Sequence, residues 1–395
     1  MIEHRNLAAS FAGMDAVLGV TPGIWLAMAN ISFDISMTEL LWTLCRGFQI
    51  VFHEGDAGVP VVSGPHSVPA QMIEHSVTHL QGTPALMRLL LSHPAAPKAF
   101  GGLRKLLVGG EPFPAALAST LKAVTSADIF NMYGPTEATI CSSYHPVRAV
   151  DSSIPIGKST VNTRAYVVDK AGRLVPPLAP GELCLGGPGI ARGYLGQADL
   201  TSDRFIADRF IPGTNDLGNR IYRTGDLVHF DLDGELHFLE RVDEQVKLRG
   251  FRIELGEIEA SLQRHPRVDS AAVILRQEPS GEKTLAGYFT TVQGREVAAS
   301  DLRLFLERTL PVYMVPGAFI RLDSLPLTPN GKVDRASLAT LGPASRTPGS
   351  PANAQRSVLS FPQLHRHRNS PAASIEATLC GWLGKLLDLP QVRPE

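Results

Sequence analysis

The sequence predicts an α/β fold: part of a large domain with a parallel sheet, flanking helices and a small β-barrel-like segment, then a smaller α+β C-terminal domain. Three observations carry this. Strand-like apolar runs alternate with helical runs between residues 69 and 140, the pattern of a parallel sheet. From 150 to 215, Gly and Pro punctuate short β-like runs, and Leu227 to Leu239 holds two more around Asp233-Gly234, a hairpin dipeptide. After Asp243 the alternation resumes over about a hundred residues, an ordinary domain size.

Taken in order, Trp25 to Ile31 reads as a strand, Thr38 to Cys45 as a helix with Thr38 or Ser36 as its cap, and Phe48 to Phe52 as a strand. Val77 to Leu80, Leu103 to Val108 and Ile129 to Met132 are strands separated by helices at Pro84 to Ser92 and Ala115 to Val124. Ala165 to Val168 and Glu182 to Leu185 are β-like. Gly186-Gly187-Pro188-Gly189-Ile190-Ala191-Arg192-Gly193 is a structural turn rather than a dinucleotide loop, because Arg192 stands where the third glycine belongs. In the smaller domain, Val246 to Ile253 alternates around Gly250, and Gly256 to Arg264 and Ala298 to Leu310 are amphipathic helices. Ala271 to Leu275 and Leu285 to Val292 are strands. Gly342 to Ala373, rich in Pro, Ser, Arg and His, reads as a flexible linker.

The 395 residues suffice for two or three domains, and charged residues make up 19% with a net charge of -1. No basic tract points to nucleic acid or an anionic membrane, so the expected partners are a small molecule or another protein. The scattered Cys45, Cys141, Cys184 and Cys380 have no zinc-type spacing and suggest a reducing, cytoplasmic setting. No apolar run reaches the length of a membrane span.

Ligands of parallel sheets bind beyond the carboxyl ends of the strands, and Gln81, Gly109-Gly110 and Tyr133 to Glu137 fall at such ends. Residues 131 to 137, Asn-Met-Tyr-Gly-Pro-Thr-Glu, offer in one turn a ring to stack on a base (Tyr133) and a carboxamide for its polar edge (Asn131). The same turn, made by Gly134-Pro135, presents a hydroxyl and a carboxylate toward a phosphate and Mg²⁺ (Thr136, Glu137). Taken singly, Tyr133 reads as a half-buried cap, Thr136 and Glu137 as a helix start, and Thr224-Gly225-Asp226 as a plain turn. Asp34, between Phe33 and Ile35, either caps the helix that follows or, if buried, needs a cationic partner.

The 131 to 137 run resembles the Y-G-P-T-E motif of adenylate-forming, AMP-binding enzymes, specifically the adenylation domains of nonribosomal peptide synthetases. Further motifs follow in family order: Phe33-Asp34-Ile35-Ser36, Gly181-Glu182-Leu183-Cys184, Tyr222 to Leu227, Arg241 to Gly250, and Leu327 to Arg335. Glu240 departs from the glycine usual before Arg241. The resemblance implies ATP and Mg²⁺ as cofactors, an amino-acid substrate, phosphopantetheine on a peptidyl carrier domain as acceptor, and other synthetase modules as partners. It implies catalytic roles for Lys332, Thr136 and Glu137, with Glu137 on the metal. Nucleotide contacts fall to Asn131, Tyr133, Gly134, Thr136, Asp226 and Arg241, and the hinge to Asp243. Asp34 matches the residue that binds the substrate's ammonium. Ile35, Thr38, Gln81, Leu107, Gly109, Met132, Ile140 and Cys141 match the side-chain pocket, and none of these is ionised, so a neutral substrate side chain is expected.

The same resemblance divides the chain into residues 1–240 (later portion of the large AMP-binding domain), 241–340 (mobile small domain), 341–373 (linker) and 374–395. The last segment resembles the first helix of a carrier domain, ending before any phosphopantetheine serine. The family's phosphate loop, which ends in Pro-Lys-Gly, is not in the sequence, so an N-terminally truncated domain is expected. Two other readings stay open: an acyl or aryl ligase of the same superfamily, and a catalytically incomplete chain that only binds nucleotide or a partner.

Overall fold

The computed structural model describes residues 1–53, 64, 66–150, 153–211, 219–242, 245–277, 283–292, 295–327 and 333–340. Lys332, Asp243, the linker and the carrier-like segment lie outside these residues.

A seven-stranded sheet comprises β1 (Ile24–Ala27), β2 (Gln49–Phe52), β3 (His79–Gly82), β4 (Lys105–Gly109), β5 (Asp128–Tyr133), β6 (Ser143–Pro146) and β7 (Lys158–Ser159). Its order is β2-β1-β3-β4-β5-β6-β7, with β1 to β5 parallel and the last two antiparallel. Parallel neighbours need crossovers, and helices Val68–Glu74, Pro84–Leu91, Ala96–Gly101 and Ala115–Val124 supply them. Thr83 starts one of these, its hydroxyl accepting from Leu86 N at 3.2 Å with Pro84 in the first turn.

Side chains alternate across the sheet. Leu26, Leu80, Leu106, Val108 and Ile129 face one way and pack on the crossover helices. Trp25, Leu107, Phe130 and Met132 face the other way, against helix His4–Leu18 and the segment 35–45.

Segment 35–45 differs from its sequence reading. The helix begins at Ile35 rather than at a Ser36 or Thr38 cap, and Asp34 at its N-cap position makes no capping bond with its side chain. Residues Thr38–Trp42 form a π-helical turn. The preceding strand stops at Ala27 because Met28 and Ala29 turn their amides to Glu39 Oε2, at 2.9 and 2.8 Å.

The barrel-like segment takes the form of an antiparallel sheet of β8 (Arg164–Val168), β9 (Gly181–Gly186), β10 (Phe205–Ala207), β11 (Arg220–Phe230) and β12 (Leu236–Arg241). The β11–β12 hairpin turns at Asp233-Gly234 as the dipeptide predicts. Beyond it, β13 (Gln245–Leu248) and β14 (Phe251–Glu254) form a second hairpin with Arg249 and Gly250 at the tip, both at positive φ. β15 (Val268–Gln277), β16 (Lys283–Thr291) and β17 (Ala318–Arg321) make a small sheet covered by helices Leu255–Gln263 and Ala299–Glu307 around Ile258, Leu262, Val273 and Leu302. No helix among the described residues is long and apolar enough to cross a membrane.

Candidate functional site

A cavity of about 420 Å³ opens between the large sheet's carboxyl edge and the small region, lined on one side by Phe33, Asp34, Met37 and Thr136 and on the other by Phe251, Arg252 and Tyr313. Thr136 Oγ1 donates to Asp34 Oδ2 at 2.6 Å. Burial holds the Asp34 carboxyl above the usual range against that bond. No ion pair reaches Asp34 among the described residues; the cationic partner expected for it is represented only by the more distant charge of Lys247. Phe33 meets Phe251 edge-on at 4.9 Å, and Phe251 stacks on Tyr313 at 3.9 Å.

Below this mouth, β5 ends in Tyr133, whose hydroxyl donates to Asp226 Oδ2. Asp226 Oδ1 accepts from Arg241 Nη1 at 2.5 Å, and Arg241 Nη2 donates to the Thr224 carbonyl at 3.1 Å. The turn that carries Asp226 is held by its own residues: Thr224 Oγ1 accepts from the Asp226 amide at 3.0 Å and donates to the Leu183 carbonyl at 2.8 Å. Burial and the adjacent Asp226 charge raise the Tyr133 hydroxyl well above its ordinary value, so it remains a donor. Asn131 is buried and donates through Nδ2 to the Pro155 carbonyl at 2.6 Å.

Glu137, in the 3-10 turn Thr136–Ala138, accepts from Tyr194 OH at 2.6 Å through Oε1 and from Arg252 Nη1 at 2.8 Å through Oε2. Burial disfavours its charge, but Arg252 and Tyr194 outweigh it and hold the carboxyl below its usual range. The small region's hairpin thus reaches into the site from above. The Gly250 amide donates to Glu111 Oε1 at 2.7 Å, and Lys247 Nζ stands 5.6 Å from the centre of the Tyr133 ring. Gly250 is required there, since a Cβ would lie 2.6 Å from Thr83 Cγ2 and its φ is +84°.

Among the described residues no group of three or more His, Cys, Asp or Glu side chains is arranged to hold a metal ion. One carboxylate suits Mg²⁺ that is held mainly by nucleotide phosphates and water, so Glu137 fits such an ion once Arg252 yields its oxygen.

The floor is the second face of the sheet. Leu107, Met132, Ile140 and Cys141 form one buried cluster with Trp42 and Phe130, and Ile35 and Met37 pack against it. Thr38 is buried over the same layer, its hydroxyl 3.8 Å from Met14 Sδ. Gly109 leaves room for Met132, whose carbonyl would lie 2.6 Å from an added Cβ. Gln81 is 2% exposed, and both its Oε1 and Nε2 lack a hydrogen-bond partner among the described residues. Burial raises the Cys141 thiol to about 12, so it is neutral. Thr139 and Ile140, joining the Glu137 turn to Cys141, have φ of 61° and 72°. A β-branched residue is rarely found in that region, and such strain gathers at functional sites.

Of the expected site residues, Asp34 and Thr136 line the cavity, Glu137 is tied to its wall through Arg252, and Tyr133, beside Gly134, forms a bonded set with Asp226 and Arg241. Of the eight positions expected to hold the substrate side chain none lines it, though Ile35, Leu107, Met132, Ile140 and Cys141 share a cluster with the lining residue Met37, and Lys332 and Asp243 are not described. Sequence reasoning missed Glu39, Glu111, Tyr194 and Arg252. Arg252 alone carried a signal, as a cation two residues past Gly250 in a run that alternates around that glycine.

Comparison with known proteins identifies the class. The AMP-binding enzyme family matches residues 1–195, and the AMP-binding enzyme C-terminal domain matches residues 257–332. The chain belongs to this family of adenylate-forming enzymes. Its relatives are more particular. It is 42% identical over 315 residues to a dimodular nonribosomal peptide synthase of Bacillus subtilis (strain 168), covering 79% of this chain and 13% of that protein. It is 40% identical over 349 residues to tyrocidine synthase 3 of Brevibacillus parabrevis, covering 86% of this chain and 5% of that one. Among solved structures it matches holo-PA1221, a nonribosomal peptide synthetase protein containing adenylation and carrier domains, with a TM-score of 0.68 and 30% identity. That match covers 80% of this chain and 53% of the other. The chain spans only a small part of the curated relatives it matches.

Proposed function

We propose that this chain activates an amino acid with ATP, giving an aminoacyl adenylate and pyrophosphate, and then loads the acyl group onto the phosphopantetheine thiol of a peptidyl carrier domain. The observation that carries this reading is the cleft itself. A carboxylate with no ion pair among the described residues, Asp34, lines it beside Thr136, and Tyr133, three residues before Thr136, joins Asp226 and Arg241 in a buried aromatic–carboxylate–guanidinium set.

In the first step a carboxylate oxygen of the substrate attacks the α-phosphorus and pyrophosphate leaves with its bond electrons. Asp34 holds the substrate ammonium, whose charge offsets the desolvation that raises the carboxyl. Asp226 and Arg241 receive the ribose and Tyr133 the base. Lys332 bridges the substrate carboxylate and the α-phosphate, spreading the developing charge. Mg²⁺, held by Glu137 and phosphate oxygens, would neutralise charge on the leaving pyrophosphate. In the second step the thiolate attacks the acyl carbon and AMP leaves; the β13–β14 hairpin, already seated against Glu111 and Glu137, supplies the wall for it. Acceleration comes from positioning and electrostatics, with no covalent nucleophile. The hinge for moving the small region is Asp243, and the side-chain pocket is formed by Ile35, Thr38, Gln81, Leu107, Gly109, Met132, Ile140 and Cys141.

Amino-acid-dependent exchange of labelled pyrophosphate into ATP tests this, with Asp34→Ala beside the parent. Exchange with at least one amino acid, lost in the variant, is the expected result. Exchange driven equally well by carboxylic acids without an α-amino group, and retained by Asp34→Ala, would transfer the chain to the acyl or aryl ligases.

A further inference from the structure

We propose that the substrate side chain ends in a carboxamide, paired head to head with the carboxamide of Gln81. The proposal rests on the amino-acid reading above and narrows it. Gln81 is 2% exposed, yet neither its carbonyl oxygen nor its amide nitrogen has a partner among the described residues. Buried polar side chains are nearly always hydrogen-bonded, and a hydrocarbon of the same volume at this position would carry no such cost.

The sheet register shows where the amide points. Gln81 lies opposite Leu107, and Leu107 opposite Phe130, so the three share one face. That face is the apolar layer of Leu107, Met132, Ile140 and Cys141. Met37 packs against this layer and also lines the cavity with Asp34. The layer thus meets, at Met37, the cavity whose carboxylate would take a substrate ammonium, and the unmatched amide stands on the same face of the sheet. Leu107, Met132 and Ile140 offer it neither donor nor acceptor.

A donor and an acceptor side by side are complemented by an acceptor and a donor side by side. A carboxamide supplies both. A carboxylate supplies two acceptors and leaves the Gln81 carbonyl unmatched; an ammonium supplies donors only; a hydroxyl has one atom for two places; a hydrocarbon has none. The neutral Cys141 thiol and the buried Tyr144 hydroxyl of the same cluster add polarity without charge.

Binding of stable 5′-O-(N-aminoacylsulfamoyl)adenosines, measured by calorimetry without any turnover, separates the proposal from the reading beneath it. The set would carry Gln, Asn, Glu, Leu and Ser side chains, with 5′-O-sulfamoyladenosine as reference. The expected result is that a Gln or Asn compound binds at least roughly tenfold more tightly than the Glu, Leu and Ser compounds. In Gln81→Leu that advantage disappears while the reference compound binds as before. First rank for Leu, Ser or Glu in the parent overturns the proposal without touching the adenylation reading, and this ranking does not depend on the variant folding. A carboxamide advantage that persists in Gln81→Leu also overturns it. Failure of every compound, the reference included, removes the nucleotide site and the proposal together.

Discussion

The two faces of the seven-stranded sheet alternate along the same strands, and they meet different standards. On the face of Leu80, Leu106, Val108 and Ile129 the packing is apolar up to Asn131, whose amide is satisfied by the Pro155 carbonyl. On the face of Trp25, Gln81, Leu107 and Met132, polar atoms are buried, and the Gln81 amide finds no partner among the described residues. Here also lie Glu39, carried up to about 7 by burial, and His79, carried down to about 4 by burial. The difference teaches that one face secures the fold while the other sacrifices stability to hold buried groups that are unmatched or shifted in charge.

The largest test of that division uses neighbouring leucines. Leu106→Ala and Leu107→Ala each remove a fully buried side chain and should each lower stability by about 2–5 kcal/mol in urea denaturation. Only Leu107→Ala should reorder the amino acids accepted in pyrophosphate exchange. A reordering by Leu106→Ala would erase the distinction between the faces.

Next in size is a pair of opposed titrations. Folded Glu39 keeps a proton between roughly pH 4.5 and 7 that the unfolded chain has lost, so its contribution is full below 4.5 and falls as pH rises through about 7. Folded His79 resists the proton that the unfolded chain binds below 6.5, so its contribution is present above 6.5 and falls as pH drops through about 4. Each amounts to about 3 kcal/mol, and they largely cancel in the window they share. Glu39→Gln should uncover the His79 slope, with stability declining on acidification from pH 6.5 to 4.5. An unchanged profile would show that burial does not govern Glu39.

Two smaller effects bear on the cleft. Arg252→Ala leaves Glu137 with Tyr194 alone; because the arginine is part exposed, we expect a loss of roughly 1 kcal/mol near neutral pH, seen as a lower urea midpoint. Stability there is present above the usual glutamate pKa and lost on acidification, so the variant and parent should converge at low pH. Smallest, and opposite in sign, Gln81→Leu should raise stability by about 0.5–1 kcal/mol, since two unmatched polar atoms vanish. A loss would mean that the amide is satisfied in solution.

Much of this division is legible in the sequence. Apolar period and turn dipeptides locate β3 to β5, the β11–β12 hairpin and the carboxyl ends where Gln81, Gly109 and Tyr133 gather. Helix His4–Leu18 escapes because its buried side is Asn6, Ser10 and Gly13 beside Met14 and Leu18, which leaves little apolar period to read. Asn6 donates to the Pro188 and Ile190 carbonyls, a partnership that only tertiary structure creates. The start of segment 35–45 misleads because Ser36 and Thr38 are good capping types, yet Ser36 instead donates to the Phe33 carbonyl and Thr38 is buried. The Arg252–Glu137 pair joins residues 115 positions apart and leaves no local trace.

The left-handed backbone at Thr139 and Ile140 places a constraint on anyone who would re-cut the pocket. At most positions a designer may choose a side chain for its shape alone. At position 140 the choice also sets the conformational preference of the link between Glu137 and Cys141. Glycine or asparagine would ease the backbone but strip the floor of a branched apolar group, whereas valine would keep the branching and the tension together. Selectivity and backbone geometry are therefore written by one codon, and libraries that vary it will not separate the two.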